Sequence, residues 1–136
     1  MTAFDECIEL RRSINEIDEK ILSLRETIYS PRNQVISGMP RGGGSNAIEQ
    51  YLIKVDKLID IKNLREKRLS NLWNETVCTM QAHGIKEEYI NLMYYRFYLG
   101  LPWKHSCSRV QENYTSQKWN ENRVFRVYRM ILSKIH

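Results

Sequence analysis

The chain of 136 residues is long enough for one ordinary domain or two small modules. Its 42 % hydrophobic and 27 % charged residues, with a negative mean hydropathy, fit a charge-laced helical protein better than an enzyme built on a large core. No apolar run approaches the length of a membrane span, and the opening Met1-Thr2-Ala3-Phe4-Asp5-Glu6 lacks the basic-then-apolar pattern of a signal peptide. A cytoplasmic protein with no membrane partner is therefore expected.

In chain order, Cys7, Leu10, Ile14, Ile17, Ile21, Leu24 and Ile28 alternate at spacings of three and four, which is a heptad seam. Thr2 and Asp5 read as a capping pair before this first helix, and Pro31 as its stop. Residues 31–46, with Pro31, Pro40 and the glycines Gly42, Gly43 and Gly44, predict a loop. No strand precedes those glycines and no Lys-Ser/Thr pair follows them, so they are not read as a phosphate cradle. Asn46 and Glu49 form a capping-box-like start to a long second helix. In it Ile48, Leu52, Val55 and Ile59, then Leu69, Trp73, Val77 and Met80, keep one heptad register. Lys62 and Glu66 interrupt the seam, while Leu58, Ile61, Leu64 and Leu72 predict a second buried face. The two helices are expected to pair antiparallel, within one chain or across a dimer.

His83 and Gly84 predict the end of that helix, and Ile85 to Tyr98 a third, whose Tyr89, Tyr94, Tyr95, Phe97 and Tyr98 are expected to pack a core rather than stack on bases. Gly100 permits a turn, and Pro102 opens a short helix to about Gln111. Asn113, Thr115 and Ser116 mark a second turn. A last helix runs from Lys118 or Asn120 to Ile135, apolar on Val124, Val127, Tyr128, Ile131, Leu132 and Ile135, and polar on Asn122, Arg123, Arg126, Arg129 and Lys134. The expected fold is all-α: a helical hairpin or coiled-coil association region over residues 1–82, followed by a helix-turn-helix region over residues 84–136.

The formal net charge of +5 is unevenly placed. From Gly100 onward seven bases (Lys104, Arg109, Lys118, Arg123, Arg126, Arg129, Lys134) stand against two acids (Glu112, Glu121), whereas the rest of the chain is balanced. Such an excess on one short module is the footprint of a nucleic-acid-binding surface. Arginine donates a bidentate fork to guanine and asparagine pairs with adenine, so Gln117, Lys118, Asn120, Asn122, Arg123 and Arg126 are the candidates for base contacts. Lys104, His105, Arg109 and Arg129 are the candidates for phosphates. Trp103 and Trp119 are expected to pack the last two helices together.

Catalysis and metal binding are not expected. Cys7, Cys78 and Cys107 are odd in number and far apart, and His83, His105 and His136 form no ligand spacing with them, so no zinc or other cofactor is called for and a reducing compartment fits. Asp56, Asp60, Glu87 and Glu88 lie on ordinary polar helix faces, and no nucleophile–base constellation is visible.

Two segments together carry a family resemblance: Met39-Pro40-Arg41-Gly42-Gly43-Gly44 between two charged helices, and Leu92-Met93-Tyr94-Tyr95-Arg96-Phe97-Tyr98-Leu99-Gly100-Leu101-Pro102-Trp103. The chain resembles phage late-gene transcriptional regulators of the RinA/ArpU type over nearly its whole length. The likeness implies a tail similar to the sigma-factor domain that reads the −35 promoter element, with Val124-Phe125-Arg126-Val127-Tyr128-Arg129 on the recognition helix. It also implies work inside a bacterial host cell. The chain departs from the family's pattern at Pro102, at Trp103-Lys104-His105-Ser106-Cys107, and in a longer stretch from Trp103 to Val124.

The expected function is a sequence-specific regulator that binds double-stranded DNA as a homo-oligomer, most simply a dimer, with host RNA polymerase a further candidate partner. The alternative is a phage inhibitor or adaptor that turns the same scaffold and basic tail against an acidic protein.

Overall fold

The computed structural model describes residues 2–29, 43–114 and 118–135. Most of these are helical and none forms a strand, so the fold is all-α. The helices are α1 (Ala3–Tyr29), α2 (Gly43–Ala82), α3 (Glu87–Met93), α4 (Trp103–Asn113) and α5 (Glu121–Ile135), and a π-helical turn at Tyr94–Tyr98 prolongs α3. Two compact units emerge: Met1–Arg12 with Arg68–His136, and Ser13–Lys67. This division by packing falls elsewhere than the functional boundary drawn at residues 82–84 from sequence.

Helix ends follow their local chemistry. At the start of α1 the Thr2 N–H donates to Asp5 Oδ2 at 3.2 Å and the Asp5 N–H to Thr2 Oγ1 at 3.1 Å, a reciprocal capping box. Helix α2 ends in a Schellman motif: the Ile85 N–H donates to Met80 O and the Gly84 N–H to Gln81 O, both at 3.0 Å, with Gly84 at φ +72°. At its other end α2 is already helical at Gly43, three residues before the expected Asn46 start. Glycine carries only a weak penalty, about 1 kcal/mol each, and propagating a helix adds one hydrogen bond per residue. The rest of the predicted loop, residues 31–42, lies outside the described residues.

In the unit of residues 13–67, Ile14 and Ile17 of the α1 seam are buried, and Ile21, Leu24, Tyr51, Val55 and Leu58 are half-buried. Lys62 Nζ lies 2.6 Å from Asp18 Oδ1, and Arg65 Nη1 donates to Ser13 Oγ, so polar pairs tie α1 to α2 beside that seam. Of the residues expected to form a second face on α2, Leu58 and Leu72 are half-buried, while Ile61 and Leu64 are exposed by 40 and 69 % in the single chain, because two helices present only one mutual interface.

In the other unit the seam residues Cys7, Leu69, Trp73 and Met80 are buried, and α3, α4 and α5 pack on one another. Phe4, one step before the seam read from sequence, is fully buried; its ring stacks on Phe97 with centroids 4.7 Å apart and meets Tyr128 edge-on at 6.0 Å. Phe97 also meets Trp103 and Tyr128, each at 5.5 Å, and Trp73 packs on Tyr94 and Tyr98. Each such pair contributes about 0.5–1.5 kcal/mol beyond its area. Of the aromatics of the third helix, Phe97 is buried and Tyr89, Tyr94, Tyr95 and Tyr98 are half-buried.

The wider turn at Tyr94–Tyr98 ends on Gly100 at φ +76°. Leu99 N–H donates to Tyr94 O and Leu101 N–H to Tyr95 O, both at 3.0 Å. Arg11 Nε donates to Tyr98 O at 2.7 Å, which holds the Arg11 side chain so close that a Cβ on Gly100 would sit 2.7 Å from its Cγ.

Two outcomes follow for stability. Gly84→Ala meets no neighbouring atom and loses only the left-handed backbone penalty, about 1–2 kcal/mol. Gly100→Ala adds a clash and is expected to lower the urea midpoint further, the excess shrinking when Arg11 is also changed to alanine. The Cys7 thiol is pushed up from 9.0 to about 11, by burial first and by Glu6 second. Stability held below pH 9 should decline as pH rises towards 11, because the unfolded thiol ionises first. At pH 8 an alkylating reagent should label exposed Cys78 in the native protein and spare Cys7 until unfolding, as mass spectrometry would read.

Candidate nucleic-acid interface

Seven residues, 114–120, separate α4 from α5, against the three or four of a simple helix-turn-helix turn. Residues 115–117, and with them Gln117, lie outside the described residues. The flanks of this connection are tied down. Gln111 Oε1 accepts the Trp119 N–H at 2.6 Å, and the Tyr114 hydroxyl accepts from Asn91 Nδ2 at 2.6 Å. Trp119 is buried, its Nε1 donating to Glu88 Oε1 at 2.8 Å and its ring meeting Tyr89 at 5.8 Å. Trp119 thus anchors the connection on α3, while Trp103 joins α4 to α5 by contacts to Phe125 at 5.6 Å and Tyr128 at 5.2 Å. Glu88 has a structural role that its place on a polar helix face did not disclose.

The Asn120 side chain is committed. Its Oδ1 accepts the Arg123 N–H at 2.9 Å, so it serves as the N-cap of α5, in the position where asparagine is among the preferred residues. The Arg123 guanidinium lies over the Trp119 ring at 4.5 Å, and its Nη1 donates to Lys118 O at 3.4 Å. Lys118, Asn122, Arg126 and Arg129 are exposed, and Asn122, Arg126 and Arg129 fall at i, i+4 and i+7 on one stripe of α5. Phe125, 39 % exposed, lies beside that stripe and was not among the candidate contact residues.

On α4, Lys104, His105 and Arg109 are exposed together with Ser108 and Glu112, while Ser106 and Val110 face the core. Among the described residues none of Lys104, Arg109, Lys118, Arg123, Arg126 and Arg129 is within 4.0 Å of a carboxylate. Cations on two adjacent helices therefore remain available to an external anion.

One further cation is withdrawn from solvent. Arg96 lies over the rings of Trp103 at 5.3 Å and Phe97 at 5.7 Å and donates from Nη1 to Leu101 O at 3.2 Å, while its buried Nε finds no acceptor among the described residues. Burial lowers its pKa, and neighbouring Tyr128 partly offsets this; burial, then Asp5, raises that of Tyr128. Arg96 is half-buried in packing rather than presented on the basic face.

No three His, Cys, Asp or Glu side chains gather as a metal site among the described residues, and no described helix is long and apolar enough to cross a membrane. No protein family, curated protein or solved structure matches the chain.

The two possible roles of Asn120 are separable. Asn120→Ala should cost about 1 kcal/mol in denaturant unfolding, and Asn120→Asp should retain most of the stability, because either side chain can accept the Arg123 N–H.

Proposed function

We propose that the chain is a sequence-specific, double-stranded-DNA-binding transcription regulator of the phage late-gene type, acting in the bacterial host cytoplasm as a homo-oligomer. One observation carries this reading: on two packed helices the bases are exposed and, among the described residues, unneutralised by any carboxylate within ion-pair distance.

The geometry supports a division of labour. Helix α5, 15 residues long, spans about 22 Å at 1.5 Å per residue, and its exposed stripe is free of the packing that fixes its other side. Asn122 and Arg126 can reach adenine and guanine edges in a major groove about 12 Å wide. Arg123, lying over Trp119 and bonded to Lys118 O, is preorganised at the rim. Asn120 acts one step back, as the cap that orients the first turn. Lys104, His105, Arg109 and Arg129 would take phosphates, which fix register without reading sequence. Tyr114 and Trp119, which flank the connection, are held to α3, and this supports the reading by fixing where α4 ends and α5 begins.

The test is fluorescence anisotropy against a pool of candidate late-promoter duplexes at two salt concentrations. The wild type should select one duplex and lose affinity steeply with salt. Asn122→Ala/Arg126→Ala should weaken that duplex by roughly 10- to 100-fold and flatten selectivity, each good base pairing being worth about 1–3 kcal/mol. Lys104→Ala/Arg109→Ala should weaken all duplexes alike and reduce the salt slope by about two. Absence of salt-dependent affinity for any duplex would transfer the basic face to an acidic protein partner.

A further inference from the structure

Of the nine large apolar residues that stand exposed among the described ones, seven belong to the unit of residues 13–67. That unit is a pair of helices and covers little of its own apolar surface, so the arrangement of the remainder is informative. On α2, Glu49, Ile53, Asp56, Asp60 and Leu64 recur at spacings of four, three, four and four, forming a stripe on the side away from half-buried Tyr51, Val55 and Leu58. All five are exposed, Ile53 by 54 % and Leu64 by 69 %. The stripe is apolar and acidic, with Lys57, four residues after Ile53 and three before Asp60, along its border on the groove side.

Elsewhere on the same unit is a surface of the opposite kind. Between α1 and α2 an open groove of about 470 Å³ has Leu24 and Leu58 as its apolar floor and Lys20, Lys54 and Lys57 around it. Among the described residues none of these lysines is within 4.0 Å of a carboxylate. Their stems extend the apolar wall while their ammonium groups ring it. A helix bearing leucine or isoleucine flanked by carboxylates fits such a groove, and the α2 stripe is a helix of that description.

We infer that the occupant of the groove is the acidic stripe of a second copy: Ile53 and Leu64 lie towards the partner's Leu24–Leu58 floor, with Asp56 and Asp60 against its lysines. Each copy carries one stripe and one groove, so two reciprocal contacts close a two-fold dimer. The charges set the pairing, because shifting the register or turning the helix brings carboxylate to carboxylate or lysine to lysine. This assigns contacts to the self-association within the proposed function and rests on that part alone; DNA reading by α5 is not needed for it.

Sedimentation velocity of the full chain gives the test, with circular dichroism to establish that each variant is folded. The wild type should be a dimer. Asp56→Lys/Asp60→Lys makes stripe and groove both basic, and Lys54→Glu/Lys57→Glu makes both acidic, so each variant alone should dissociate, with dimer affinity reduced by roughly 100-fold or more. Mixed in equal amounts, the two variants should form a heterodimer, since both contacts then join opposite charges. A monomeric wild type, a charge-reversed variant that stays dimeric, or folded variants that fail to pair when mixed would each overturn the assignment. Anisotropy of the charge-reversed monomers on a single half-site reports separately on DNA reading, so failure of one leaves the other measurable.

Discussion

The Phe97 ring holds together the unit that carries the basic face. It receives Phe4 from the first turn of α1, Trp103 from α4 and Tyr128 from α5, so three helices take their positions from one side chain. The ring reaches them because the π-helical turn advances the chain differently from an α-helix and directs Phe97 inward while leaving the neighbouring tyrosines against Trp73. Helices as short as α3 and α4 are marginal by themselves, and most of their stability must come from this packing.

That dependence separates two kinds of cation. Arg96 is drawn into the cluster, where contacts over aromatic faces, worth about 0.5–2 kcal/mol each, offset the desolvation of its guanidinium. Arg126 and Arg129 stand outside the cluster and are not needed for its packing. Arg123 is intermediate: it contributes to the fold by lying on Trp119 and still borders the exposed stripe. A surface whose charges are mostly independent of the core can change its recognition without losing its scaffold, and the candidate base-reading residues Asn122 and Arg126 have that independence.

Sequence period and capping chemistry account for much of the helical plan. The three-and-four spacing of Cys7, Ile14 and Ile17 corresponds to real burial, the Thr2–Asp5 pair to a real box, and Gly84 to a Schellman stop. Such features are local, and local physics decides them. Phe4 against Phe97 was not legible, because nothing near residue 4 encodes a partner so remote along the chain. Nor could composition tell that Ile61 and Leu64 find no cover within their own helix pair, since an apolar residue records a capacity to be covered and not the cover itself. In the candidate interface the exposed bases of α4 and α5 were evident from charge and period. Asn120 was read for its ability to pair with adenine, yet the same amide oxygen satisfies a backbone N–H at the helix start.

The place of Phe4 in the core bears on how the protein comes to be folded during synthesis. Phe4 is made well before its neighbours Phe97 and Tyr128, which follow only after the whole of α2 has been translated. Closing so long a loop is entropically costly compared with forming a helix, so the first turn of α1 must wait with Phe4 uncovered while ribosomes elongate the rest, even once residues 13–67 have paired. During that interval nascent chains on one message display the same uncovered first turn at high local concentration, and that end of α1 becomes the segment on which chaperones and premature pairing between chains would compete.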